Sequence, residues 1–185
     1  MQKKAGVVSN KLKEVPKENF YKSGASDTSC IELSKINDSI WVHTSYENYN
    51  GSRTPSNDLV AVTSKAIILV DTPWNNEQTK ELLRLTKEVF NKDIVLAPLT
   101  HAHEDRIGGI DPLLENKIDV RSTELTAKDA EKRGYKKPQP TLDKQPSITV
   151  GDTSLEVFYP GIGQSNVICY PVKRVSIEVN FPSLI

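Results

Sequence analysis

From Cys30 onward the chain alternates between apolar and polar positions, and the period of that alternation changes along its length. Ile31, Leu33 and then Ile40-Trp41-Val42 alternate with polar neighbours, as half-buried strands do. Leu59-Val60-Ala61-Val62 and Ala66-Ile67-Ile68-Leu69-Val70 predict two more strands, joined by the turn Thr63-Ser64-Lys65. Asn50-Gly51 marks the tip of a hairpin loop, because Gly tolerates φ > 0 at no steric cost. At Asn75 or Asn76 the pattern becomes helical. A helix capped there and running to about Phe90 puts Leu82, Leu85, Val89 and Phe90 on one face, with Lys80, Glu81, Arg84 and Lys87 mostly off it.

Beyond that helix, short apolar strands and helices follow each other. Ile94-Val95-Leu96-Ala97 predicts a strand, and a second helix is expected after Gly108-Gly109. Val120 sits in a brief strand, and residues 124–133 are rich in helix formers that stop before Gly134. Ile148-Thr149-Val150 and Leu155-Glu156-Val157-Phe158-Tyr159 predict a hairpin turning at Gly151-Asp152. Strands first, then helix–strand alternation, give an α+β (α/β) class: a sheet covered by helices on one side. Residues 1–29 carry six Lys and no periodicity and predict a poorly ordered extension. Little chain after Pro160 remains to cover the other sheet face; residues 172–185 alternate somewhat (Val175, Ile177, Val179, Phe181) but predict no helix.

Composition narrows the function. Lys plus Arg and Asp plus Glu are both 24, so no basic face invites nucleic acid. Hydrophobic residues make up 37%, enough for a core but not a rich one. Cys30 and Cys169, the only cysteines, are too far apart in sequence for a C-x-x-C metal knuckle and predict two ordinary thiols. No run approaches the roughly 18 apolar residues of a membrane span. No apolar run follows Met1-Gln2-Lys3-Lys4, so no signal peptide is recognisable.

The one dense chemical cluster is Thr100-His101-Ala102-His103-Glu104-Asp105-Arg106, directly after the strand ending near Leu99. A loop leaving a strand end points alternate side chains into one cleft, so His101, His103 and Asp105 can converge. Imidazole and carboxylate are good Zn²⁺ ligands, and catalytic zinc takes three protein ligands plus water. The bland alternative is a solvated loop with hydrogen-bonded histidines. His43 falls in a strand with no ligand-like neighbour and predicts a structural histidine.

The string Thr100-His101-Ala102-His103-Glu104-Asp105-Arg106-Ile107-Gly108-Gly109 resembles the zinc motif of metallo-β-lactamases of the di-zinc class B type. Other segments match in order: Asn37 to Thr44, Val70-Asp71-Thr72-Pro73-Trp74, Ser122 to Thr126, and Val157 to Gly163. The resemblance covers about residues 31–163. It implies the N-terminal half of an αββα sandwich, truncated, in residues 30–163, with 164–185 a divergent tail. It further implies two Zn²⁺ per chain, with His101 and His103 on the first and Asp105, also catalytic, on the second. Asp71 would hold the ligand loop from behind, Arg106 would lie beneath the second zinc, and Tyr49, Asn50 and Gly51 would form the flap over substrate. The implied activity is opening of the β-lactam ring of antibiotics, in a periplasmic or secreted enzyme.

The match also breaks. Gln164 stands where the resemblance implies a third histidine, in Gly161-Ile162-Gly163-Gln164-Ser165-Asn166, with about two residues missing before Asn166. Asn166 to Pro171 resembles the family's next strand, and Cys169 at a strand position does not take the family's cysteine role. The expected activity is therefore impaired or absent, and an uncovered sheet face favours self-association. A second reading is a non-catalytic remnant or weak zinc-binding fragment. A third, another hydrolase of the same superfold, is disfavoured by Arg106 and the VDTPW segment.

Overall fold

The computed structural model describes residues 19–24, 29–144, 147–158 and 168–172. Eight strands form one mixed sheet: β1 (Phe20–Ser23), β2 (Ile31–Lys35), β3 (Ile40–Tyr49), β4 (Ser52–Val62), β5 (Ile67–Leu69), β6 (Ile94–Pro98), β7 (Asp119–Ser122) and β8 (Gln139–Pro140), in that spatial order. The strands from β1 to β5 pair antiparallel, and β5 through β8 pair parallel. The change follows from the connections: short turns join β2 through β5, whereas helices α1 (Asn76–Phe90), α3 (Ile110–Glu115) and α4 (Glu124–Lys132) join the later strands.

The period-two alternation sorts side chains onto two faces. Trp41, Val60, Ile67, Leu69 and Ala97 face a core shared with Leu82 and Leu85 of α1 and Leu113 of α3. Their neighbours Ile40, Ala61, Ile68, Val70 and Leu96 face the opposite side. Val95 interrupts the alternation. The β5–β6 register shifts there, so Ile94 joins the helix-side core while Leu96 joins the other.

That other side was expected to be bare, and it is not. A second sheet of β9 (Ser147–Val150), β10 (Thr153–Phe158) and β11 (Ile168–Val172), all antiparallel, supplies a cover. Leu155 is completely buried against Ile40, Ala61, Ile68, Val70 and Leu96, with Ile148, Val150 and Val157 packed around it. The β9–β10 hairpin was legible; that its apolar residues fold back over the sheet was not. Cys169 lies on β11 opposite Val157 in register.

The poorly ordered extension also needs correcting. Phe20–Ser23 pairs with β2, and Tyr21 packs on Trp41 with ring centroids 5.8 Å apart. Residues 1–18, 25–28 and 159–167, which include Gln164, lie outside the described residues.

Candidate metal centre

Because β5 and β6 are parallel, their C-terminal ends open at the same edge of the sheet, where ligands bind in sheets of this kind. The chain leaving β5 passes through Asp71 at φ 59, a left-handed conformation uncommon outside glycine. This places the buried Asp71 side chain against the loop leaving β6. Asp71 accepts the Thr100 backbone N–H at 2.7 Å and the Thr100 hydroxyl at 2.6 Å. Burial pushes the Asp71 carboxyl up, and the Thr100 bonds oppose that by favouring the charged form.

A hydroxyl has a single proton, and Thr100 gives its own to Asp71. With Asp71 ionised, the 3.0 Å contact between Thr100 Oγ1 and His101 Nδ1 has the imidazole as donor. This assigns the proton to Nδ1 and leaves the His101 Nε2 lone pair free. Burial, with His103 and Arg133 nearby, lowers the His101 pKa to about 4, so the ring is neutral at physiological pH.

His103 is the N-cap of α2 (Glu104–Ile107), a single helical turn anchored by Arg106 N–H and Ile107 N–H to the His103 carbonyl. This turn precedes Gly108-Gly109, one step earlier than the helix expected there. It carries Asp105 back toward the histidines. The ligand atoms of His101, His103 and Asp105 all lie within 4.8 Å of one another, and the two rings meet edge to face with centroids 4.8 Å apart. Two imidazoles and a carboxylate suit zinc by donor chemistry, and the fixed tautomer turns one lone pair outward. The residues present fit the metal.

Arg106 and Asp58 form a buried ion pair, and Arg106 Nε lies 3.2 Å from Asp105 Oδ2. Arg106 Nη1 also donates to the Asn57 carbonyl at 3.2 Å. Ser56 Oγ is 3.0 Å from both Asp58 Oδ2 and the Asp105 carbonyl. Sequence reasoning missed Ser56, Asp58 and the part played by Thr100. A signal existed: Ser56 and Asp58 share the alternation phase of Val60, which points polar side chains at the core face.

Tyr49, Asn50 and Gly51 stand at the tip of the β3–β4 hairpin, where Asn50 and Gly51 both have positive φ (51 and 78). The hairpin is longer than the alternation predicted and is fastened to the start of α1. Asn75 Nδ2 donates to Glu47 at 3.3 Å, and Gln78 Nε2 donates to the Tyr46 carbonyl at 2.7 Å. A cavity of about 340 Å³ opens beside the centre, lined in part by Trp74, Glu77, Glu104 and Tyr135. His43 is fully buried opposite Asp58 and is not one of the three converging donors. Neither ring nitrogen makes a hydrogen bond of ordinary geometry, although the Val70 backbone lies close enough to favour the charged ring slightly.

A mixed sheet with helices on one face, a second sheet on the other and an H-x-H-x-D centre at parallel strand ends defines a class of metal-dependent hydrolase folds. The family model of the metallo-beta-lactamase superfamily matches residues 51–175, past the point where the motifs end. The chain belongs to that superfamily. It is 42% identical over 147 residues to a metallo-beta-lactamase type 2 of Bacillus sp. (strain 170), covering 78% of this chain and 57% of that protein. The protein of the same name from Bacillus cereus is 40% identical over the same shares. Among solved structures, a metallo-beta-lactamase from Pontibacter korlensis superposes with a TM-score of 0.72 at 34% identity, over 76% of this chain and 66% of that one. The FIM-1 metallo-beta-lactamase from Pseudomonas aeruginosa, solved in its mono-zinc form, superposes with a TM-score of 0.66 at 26% identity, over 75% and 63%. The chain thus spans 57% of the length of the two Bacillus relatives.

Proposed function

We propose that this chain holds zinc through His101, His103 and Asp105 and belongs to an enzyme that opens the β-lactam ring. The observation that carries the reading is the convergence of these three donors, with the His101 tautomer fixed from Asp71 through Thr100. Zinc held by these residues would act as a Lewis acid and lower the pKa of bound water, the chemistry that β-lactam hydrolysis near neutral pH requires. Burial keeps His101 neutral, Asp71 and Thr100 hold it correctly turned, Asp105 adds negative charge to the centre, and Arg106 lies against Asp105. Tyr49, Asn50 and Gly51 stand on the fastened hairpin as the flap over substrate. A second zinc, and the periplasmic or secreted location of such enzymes, belong to the same proposal, as does the division at residues 30 and 163.

Turnover is proposed to be weak or absent. Gln164 stands at the position of a third imidazole, and a neutral amide oxygen is a poor zinc ligand beside nitrogen or sulfur donors. The test is zinc content per chain together with hydrolysis of a chromogenic β-lactam, with and without chelator. The expected results are zinc lost on His101→Ala but retained in His43→Ala, with little or no turnover. Equal loss of zinc from the two variants would overturn the ligand assignment, and robust chelator-sensitive turnover would overturn the impairment.

A further inference from the structure

We propose that Asp58 is a positioning residue that sets the strength of Asp105 as a metal ligand by engaging the Arg106 guanidinium and limiting its hold on Asp105 to a single Nε contact. The inference rests on Asp105 being a ligand. One guanidinium lies between two carboxylates. Asp58, with its side chain 3% exposed, pairs with Arg106 Nη1, while Asp105, at 26%, receives only Nε at 3.2 Å. Ser56 and the Asn57 carbonyl, on the same strand, complete the clamp around Asp58 and the α2 backbone.

The competition has a direction. A carboxylate bound to arginine shares its lone pairs and its charge, and both are what a cation requires of a ligand. Arg106 has a side chain only 18% exposed, so its charge needs a partner within reach. If Asp58 lost its charge, Asp105 would be the remaining carboxylate in contact, and the guanidinium would close on it. Asp58 takes the cation and leaves the second Asp105 oxygen free to ligate. It does so without touching the metal position itself.

The test is zinc affinity of the full chain, read by competition with a chromophoric chelator and paired with a thermal melt. Asp58→Asn is expected to weaken zinc binding about 10-fold or more, the usual scale for a residue behind the ligands. Asp58→Asn combined with Arg106→Met is expected to recover most of that loss, because no cation remains to close on Asp105. A purely structural role would lower the melting temperature and leave affinity unchanged, and that result overturns the proposal. Equal weakening in the double variant overturns it as well. Should Asp58→Asn fail to fold, Asp58→Glu keeps the charge that engages Arg106 and is expected to hold zinc affinity within about threefold of wild type; a loss of about 10-fold or more there, in a folded variant, overturns the proposal. Asp105→Asn separates the underlying assignment. Unchanged affinity there shows Asp105 is no ligand and removes the proposal with it, whereas loss there but none with Asp58→Asn overturns the proposal alone.

Discussion

His43 illustrates how a buried side chain shapes the response to acid. Burial, aided by the nearby Arg106 charge, lowers its pKa from 6.5 to about 3. Below pH 6.5 the unfolded chain binds a proton that the folded chain refuses, so the contribution falls with pH down to about 3. The slope is about 1.4 kcal/mol per pH unit for one such group. Asp71, raised by burial, acts in the opposite sense in the same region, so only a comparison of variants isolates His43. Between pH 7 and 5, urea unfolding should show wild type losing about 2 kcal/mol more than His43→Leu. A wild-type-to-variant difference that does not change with pH would show that the ring is protonated or solvated in the fold. The ligand residues themselves were legible, since His101, His103 and Asp105 are close in sequence and sit beyond one apolar strand. Asp58 was not, because its partner Arg106 lies 48 positions away in sequence and only strand pairing brings them together.

At the scale of elements, α1 was read from its periodicity and its cap, Asn75 accepting the Gln78 N–H at 3.0 Å; α4 was read from its helix formers and the Gly134 stop, and its cap, Thr123 accepting the Thr126 N–H at 3.2 Å, was not foreseen. The single turn α2 was missed, because four residues give no period to detect. Its placement depends on Gly108, whose α-carbon passes so close to the loop after β5 that an added Cβ would lie 2.0 Å from the Trp74 carbonyl. The φ there is an ordinary −55, so the constraint is proximity and not backbone freedom. Gly108→Ala should therefore destabilise the fold by about 1–3 kcal/mol or more, as overpacking does, and weaken zinc binding with it. Stability within 0.5 kcal/mol of wild type in denaturant unfolding, about the spread of ordinary surface substitutions, would refute the tight fit.

Over the whole molecule, the class was legible but the second layer was underestimated. Leu155 and Val157 alternate as any strand residues do, and nothing local in the sequence says that they close over Ile68 and Leu96. Phe158, in the opposite phase of β10, points away from the large sheet and is 57% exposed. Leu155→Ala should cost about 2–5 kcal/mol, the range for truncating a fully buried leucine. A loss below 1 kcal/mol in the same unfolding assay would mean that the small sheet rests loosely on the large one.

The hairpin tip has a consequence for observing the molecule. The chain has two tryptophans. Trp41 is enclosed between Tyr21 and Phe90, at centroid distances of 5.8 and 5.1 Å, and reports only on the core. Trp74 sits beside the centre with the Tyr49 ring 6.0 Å away, at the end of the hairpin. With Trp41 replaced by phenylalanine, the indole emission of Trp74 becomes a local optical signal. Its intensity and wavelength follow the position of the tip, so the arrival of a ligand can be timed in a stopped-flow instrument without any attached dye.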